Sequence, residues 1–277
     1  MSFQEELTFA ASSAALITPY LPPQSPLSST AEASPYPHVT LTYAHSLDAS
    51  IAAAPGTRTV LSGPQSKAMT HFLRAHHDAI LVGAGTAVAD DPGLNSRLAA
   101  SSSVSEGGLK EGGVKQPRPV VLDPRGRWEV SETSKVVRLA REGRGLGPWV
   151  LVGAETEVGE GRRGAVEAVG GRFIPVHARG SMRRFEWQDV LAVLKREGLG
   201  SVMIEGGGEV INSLLTPPGN GFVDSVIVTI APTWLGRGGV VVSPPRTAGD
   251  NGRPVRLTGV TWCPLGEDVV LCGRIKK

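Results

Sequence analysis

Short apolar runs recur along this chain, separated by stretches with helical periodicity, and few folds accommodate that rhythm. Ala79-Ile80-Leu81-Val82 is a continuous apolar run of the kind buried on both faces of a sheet. Further strand candidates fall at 119–122, 149–152, 173–176 and 201–204, with helical segments expected near 133–142, 163–169 and 186–197. In the last of these Trp187, Val190, Leu191 and Leu194 stand at i, i+3, i+4 and i+7, one apolar stripe. Upstream, the β-branched alternation of 38–44 predicts a first strand. Residues 65–76 predict a helix with Met69, Phe72 and Leu73 on one face. Strands alternating with helices predict right-handed crossovers and a largely parallel sheet. The tail departs from this: 223–230, 255–262 and 268–275 read as strands with no room for long helices between them, which predicts antiparallel pairing. The expected fold class is α/β, a single domain with a mixed sheet.

Composition limits what such a domain does. The chain holds 35 Gly and 21 Pro yet is 40% apolar, which predicts a packed core with many turns rather than disorder. A net charge of +2 makes no electrostatic case for a nucleic-acid partner. No apolar stretch approaches the roughly 20 residues of a membrane span. No Lys or Arg precedes Arg58, which is wrong for a secretory or transit sequence, so a soluble cytoplasmic protein is expected. Residues 4–17 predict a short helix, followed by a Ser/Pro-rich stretch, extended or loosely attached, to about Pro37. Residues 99–117 are Ser/Gly/Lys-rich, a flexible surface insertion. The layout is therefore an N-terminal extension over 1–35 and a main domain over 36–277. Cys263 and Cys272 flank a turn at 264–267, so they could face each other across a hairpin; reduced, buried thiols are the simpler reading.

Two motifs carry chemistry. In Ser201-Val202-Met203-Ile204-Glu205-Gly206-Gly207-Gly208-Glu209 a buried strand runs into three glycines and then an apolar-periodic helix from Val210 to Leu215. Glycines there let backbone N–H groups approach a phosphate at a helix N-terminus, or serve only a tight turn with positive φ. Gly83-Ala84-Gly85-Thr86 begins as G-x-G after a strand, but Val88 replaces the third fingerprint glycine and Asp90-Asp91-Pro92 ends the helix quickly. Neither is a P-loop. His71, His76 and His77 lack an i, i+4 pair, so no metal site is expected and solvated surface histidines are the reading. No nucleophile elbow or zinc-deaminase signature is present. Two Gly-ended elements without a nucleophile suggest a protein that binds a phosphorylated cofactor and uses the cofactor's chemistry.

The residues then support a resemblance. Thr40-Leu41-Thr42-Tyr43-Ala44-His45-Ser46-Leu47-Asp48, Leu61-Ser62-Gly63-Pro64-Gln65 and Leu73-Arg74-Ala75 open the pattern. It continues through Ala79 to Thr86, Ala89-Asp90-Asp91-Pro92-Gly93-Leu94-Asn95-Ser96-Arg97, Glu205-Gly206-Gly207-Gly208 and Ala231-Pro232-Thr233-Trp234-Leu235-Gly236. Over roughly 36 to 275 the chain resembles the riboflavin-biosynthesis reductases in their stand-alone fungal and archaeal form. The resemblance implies a dihydrofolate-reductase-like domain, a homodimer, NADPH as cofactor and reduction of a phosphorylated aminopyrimidine's ribose by hydride delivery to C1′. It implies that Ala44, Thr86, Asp90, Gly153, Gly206, Gly207, Gly208 and Glu209 contact NADPH, and that Arg58, Val60, Arg74, Leu94, Arg97 and Glu205 face the substrate. Arg97 or Arg74 would bind the 5′-phosphate, Glu205 would hold the substrate, and Asp48 or water would handle the proton; Glu205 and Asp48 are the catalytic candidates. Arg162 and Arg163 are candidates for the cofactor's 2′-phosphate or simple surface charges. Bacterial relatives often place Lys at Thr42, Gly at Ala49 and an aromatic at Val60. A reductase of another pterin- or pyrimidine-like compound, or a non-catalytic nucleotide binder, are the alternatives.

Overall fold

The computed structural model describes residues 6–23, 34–99, 114–179, 184–245 and 254–276. In chain order the elements are α1 (Ala11–Ile17), β1 (His38–His45), β2 (Ser50–Ala52), α2 (Pro64–Ala75), β3 (Ala79–Gly83) and α3 (Ala84–Asp90). Then come β4 (Arg118–Asp123), α4 (Lys135–Arg141), β5 (Trp149–Gly153), α5 (Glu160–Glu167), β6 (Arg172–Val176), β7 (Ala178–Arg179), β8 (Arg184–Phe185) and α6 (Trp187–Arg196). The chain closes with β9 (Ser201–Ile204), α7 (Gly208–Leu215), β10 (Ser225–Ile230), β11 (Val240–Val241), β12 (Leu257–Leu265) and β13 (Asp268–Ile275).

One nine-stranded sheet organises them, in the order β12-β13-β10-β1-β9-β3-β4-β5-β6. From β10 to β6 every neighbouring pair is parallel, while β13 runs antiparallel to both β10 and β12. The antiparallel expectation for the tail therefore holds for the β12–β13 hairpin and the β10–β13 pair, and β10 is also shared with the parallel part. Strands β3 to β6 follow one another outward. The chain then returns to insert β9 between β1 and β3, a placement that local pattern does not reveal.

Both faces are covered, which is why the central strands are apolar on both sides. Ala79 and Leu81 join the cluster beneath α6 and α7, with Val190, Leu191, Leu194, Ile211 and Leu214. Ile80 and Val82 join the opposite cluster with Val136 and Val137 of α4 and Val166 of α5. The third cluster joins α1 and α2 to the hairpin through Ile17, Met69, Phe72, Val270 and both cysteines, Cys263 and Cys272, which are free thiols.

The N-terminal helix is shorter than the expected 4–17. Leu7 instead runs extended, donating its N–H to the Arg97 carbonyl at 2.9 Å and accepting from the Ala99 N–H at 2.8 Å, so its backbone groups are used in a bridge. Phe9, Ile17, Tyr20 and Leu21 are buried, so this part of the extension is a packed layer. Most of the Ser/Pro-rich stretch and of the 99–117 insertion lies outside the described residues. Gln116, at the insertion's far end, bonds the Ser96 backbone through both its amide oxygen and nitrogen.

Candidate active site

A cleft of about 870 Å³ opens at the carboxyl ends of the parallel strands, lined by Tyr43 and Ala44 of β1, Val82 of β3, Glu205 after β9 and Thr229 of β10. Ligands of open α/β sheets collect at such an edge. A shallower hollow of about 520 Å³ lies at the other end of β1, against His38, Asp224 and Arg274, and neither glycine junction reaches it.

One wall of the cleft is backbone. Gly83 precedes α3 and Gly207 precedes α7. Gly206 has φ +146°, a conformation L side chains rarely adopt. A Cβ on Gly207 would stand 3.4 Å from the Thr86 hydroxyl, and one on Gly208 would strike Val240 Cγ1 at 2.7 Å. The two junctions thus interlock at Thr86, and two of the three glycines of the second are dictated by the fold. Gly85 differs: an added Cβ would meet nothing within 4 Å, and the residue lines the cleft. That open backbone is a cradle which a side chain would fill. Asp90, at the end of α3, also lines the cleft; burial pushes its carboxyl up, opposed by the nearby Arg58 charge.

The other wall is side chain. Lys67, Thr70, His71 and Arg74 line the cleft from α2 at i, i+3, i+4 and i+7. Opposite them comes the loop after α3, where two non-glycine residues, Asp91 (φ 38°) and Leu94 (φ 49°), take left-handed conformations. Each costs about 1–3 kcal/mol. Local bonds hold them: Asp91 accepts the Lys135 N–H at 2.9 Å, and the Asn95 amide donates to the Arg144 carbonyl at 2.8 Å. Arg74 reaches across the cleft floor. Its Nε and Nη2 donate to the two Glu205 oxygens at 3.2 and 2.9 Å, and Nη1 donates to the Asn95 carbonyl at 3.1 Å. Around the cleft stand Arg58, Lys67, Arg74, Arg97 and Lys135 against Asp90, Glu205 and Glu209, an excess of positive charge suited to an anionic ligand. Burial first, then Arg58 and Arg97, push the Lys135 ammonium below its usual value, with Asp91 opposing.

The structure brings together most of the residues singled out from sequence: Ala44, Thr86, Asp90, Gly206, Gly207, Gly208 and Glu209 line the cleft, as do Arg58, Val60, Arg74, Leu94, Arg97 and Glu205. It separates two. Asp48 is absent from the lining; its carboxylate accepts the Leu235 N–H at 3.2 Å, the Gly236 N–H at 2.8 Å and the Ser46 hydroxyl, so it ties its own turn to the 235–236 loop. Gly153 ends β5, two strands away from β3, and donates its N–H to the Pro124 carbonyl at 3.3 Å. Arg162 and Arg163 are also outside: Arg162 donates to the Gly126 carbonyl at 2.7 Å, and Arg163 pairs with Glu167 at 3.8 Å.

The histidines are not the solvated groups expected. His77 is fully buried, its Nδ1–H donating to the Leu73 carbonyl at 2.7 Å and its Nε2 accepting from the Thr40 hydroxyl at 2.8 Å. His71 is 5% exposed. Sequence reasoning missed Lys67, Thr70 and Lys135. The first two had a signal, since they share the helical spacing of His71 and Arg74, on the side of α2 away from Met69, Phe72 and Leu73. Lys135 had none. Ala49 takes φ 58°, a left-handed conformation that favours glycine.

The fold and the site define the class: an α/β domain with a doubly covered, mainly parallel sheet and a glycine-lined, cation-rich cleft at its carboxyl edge. Residues 37–271 match the RibD C-terminal domain, and the chain belongs to that family. It is 42% identical over 261 residues to the 2,5-diamino-6-ribosylamino-4(3H)-pyrimidinone 5′-phosphate reductase of Eremothecium gossypii, covering 94% of this chain and 95% of that one. The Saccharomyces cerevisiae reductase of the same name is 38% identical over 86% of each chain. A solved structure of the S. cerevisiae riboflavin biosynthesis reductase superposes with a TM-score of 0.71 at 34% identity, covering 95% of this chain and 98% of that one.

Proposed function

We propose that this chain is an NADPH-dependent reductase that converts the ribosyl group of 2,5-diamino-6-ribosylamino-4(3H)-pyrimidinone 5′-phosphate to the ribityl group by reduction at C1′. The observation that carries the reading is the convergence of both Gly-ended junctions and the cationic face of α2 on one cleft. The nearly end-to-end match to reductases of that name supports the substrate. When bound, NADPH supplies the hydride. The open backbone at Gly85, the Thr86 hydroxyl and the Gly206 to Gly208 turn would hold the cofactor, because the added Cβ that would close the approach is missing at each glycine, with Val240 bordering the turn at Gly208.

The chain's own side chains then position the substrate. Arg97 would bind the 5′-phosphate, for which a guanidinium fork is geometrically suited. Arg74 locks Glu205 in one orientation, so that the carboxylate faces the cleft without rotating, and Glu205 would accept hydrogen bonds from the sugar. Asp48 has no place in this scheme, and the proton is left to water or Glu205. In this reading residues 36–277 form the reductase unit, active as a homodimer in the cytoplasm. Among the described residues no helix is long and apolar enough to cross a membrane.

The test is NADPH oxidation by the purified protein with the ribosylamino phosphate substrate, run beside NADH and beside a pterin substrate. Turnover specific to NADPH and the ribosyl compound is the expected result. Cofactor binding without turnover of any substrate would sink the proposal, and turnover of the pterin alone would reassign the substrate. Light scattering checks the dimer, which a monomeric mass would refute.

A further inference from the structure

The loop that carries Leu94 to Arg97 into the cleft is fastened to α4, and one side chain of α4 comes back across it. The carboxylate of Asp91 accepts the first N–H of that helix, the Lys135 N–H, at 2.9 Å. Lys135 and Leu139 stand at i and i+4, on one face of α4. Both lie over Gly93, where an added Cβ would meet Leu139 Cδ1 at 2.7 Å and Lys135 Cε at 3.5 Å. The lysine stem therefore rests on a bare glycine, and its ammonium, one bond beyond Cε, reaches the cleft that Lys135 lines. Among the described residues no carboxylate forms an ion pair with this ammonium. Its surroundings are cationic: burial first, then the charges of Arg58 and Arg97, disfavour the charged form, with Asp91 opposing. Those three cations come from three separate segments, the loop before α2, the loop after α3, and α4, and all three line the cleft. An anion among them relieves their mutual repulsion.

We infer that Lys135 is a specificity-determining residue: its ammonium joins Arg97 in binding the 5′-phosphate and separates a phosphorylated ribosyl compound from a dephosphorylated one. The inference deepens the reductase reading and rests on its phosphorylated substrate. A phosphomonoester carries roughly −1.5 to −2 charges near pH 7, more than one guanidinium balances. The two cations have different parts. A guanidinium fork fixes direction, whereas an ammonium is a compact point charge with three rotatable donors and adds attraction without fixing an angle. Packing of the stem over Gly93 holds that charge at the cleft in advance of any ligand.

The test is steady-state kinetics of the full-length protein with the ribosylamino phosphate substrate and with its dephosphorylated nucleoside. Lys135→Met keeps the stem and removes the charge. It should raise KM for the phosphorylated substrate about tenfold or more, with kcat within about twofold, and change kcat/KM for the nucleoside by less than about threefold. KM for NADPH and Tm should hold, and Lys135→Arg should restore most of the loss. An equal loss on both substrates, no loss on either, or a loss that falls on NADPH overturns the inference. So does a Lys135→Arg protein no better than Lys135→Met, or a wild-type protein that uses both substrates equally well. If the variants fail to fold, labelling of the wild-type chain decides: reductive methylation of Lys135, read by mass spectrometry, should be slowed by D-ribitol 5-phosphate and not by D-ribitol. Equal labelling with both overturns the inference. Protection by the phosphate compound without NADPH turnover of any substrate would instead remove the reductase reading and leave the binding role standing.

Discussion

The cleft has one wall of backbone and one of side chains, and they are built under different rules. At the Gly83 to Thr86 and Gly206 to Gly208 junctions, shape comes from φ angles and from the absence of Cβ atoms. Along α2 and the loop carrying Leu94 to Arg97, shape comes from ionic and hydrogen-bonded contacts between residues distant in sequence. The backbone wall is rigid by covalent geometry and carries no formal charge. The side-chain wall is strained at Asp91 and Leu94 and stays in place only while its partners remain paired. The proposed function needs both: close approach without bulk on one side, and fixed charge on the other.

The largest expected effect comes from breaking the Arg74–Glu205 link between the walls. Glu205→Ala leaves the Arg74 guanidinium unpaired, and the two side chains are only 14% and 20% exposed. The loss should be about 3 kcal/mol, at the low end for a buried pair. That corresponds to a fall in Tm of roughly 6–12 °C for a domain of this size. The double variant Glu205→Gln with Arg74→Met should recover more than half of that fall in thermal denaturation yet stay inactive. If the double variant melts as low as Glu205→Ala, the pair does not bridge the walls.

Acid should next loosen α2, which carries the side-chain wall. His71 and His77 have folded-state pKa values pushed down to about 3 and about 4 from 6.5, so the unfolded chain binds protons that the folded one refuses. Their contribution is fully present above pH 6.5 and is lost as pH falls from there towards 4. The slope is at most about 1.4 kcal/mol per pH unit for each ring. Urea unfolding at a series of pH values measures this, and a flat profile between pH 6.5 and 4 would contradict the buried, neutral rings.

Smaller effects separate the two glycine junctions. Gly206→Ala forces an L residue to φ +146° and should lower stability by about 1–3 kcal/mol with or without ligand, seen as a lower Tm. Gly85→Ala sits in α3 with nothing near its new Cβ, so Tm should hold or rise by an amount reflecting up to about 1 kcal/mol of helix propensity. NADPH affinity should nevertheless fall, measured by fluorescence titration. Unchanged affinity in Gly85→Ala would show that the open backbone is not the cofactor cradle.

Much of this molecule is legible in its sequence. The apolar run at Ala79 to Val82, the stripe of α6 and the tail strands were found within a few residues of their observed ends. The helix expected at 4–17 was overextended because Leu7 pairs with the backbone around Leu98, a contact no local rule contains. In the site, both glycine junctions and the residues of the Asp90 to Arg97 loop were named. Asp48 stands beside a strand end, as a catalytic carboxylate often does, but the structure places it outside the cleft lining. Its actual partners, Leu235 and Gly236, are nearly 190 positions further along the chain, at separations of 187 and 188. The histidines were misread because a helix's exposed side can be recovered from periodicity only when the covering element is known. Here the 94–97 loop covers His71, and Thr40 meets His77.

By itself the sequence determined the periodicities, the turns and the two glycine-rich strand-to-helix junctions, because these depend on neighbours along the chain. Only the tertiary structure decided that β9 lies between β1 and β3, that Arg74 meets Glu205 from 131 residues away, and that His71 is covered by the backbone of Arg97. The physical reason is the same in each case. The partner of a charge or a hydrogen-bonding group is set by distance in space, and folding, not chain order, assigns that distance.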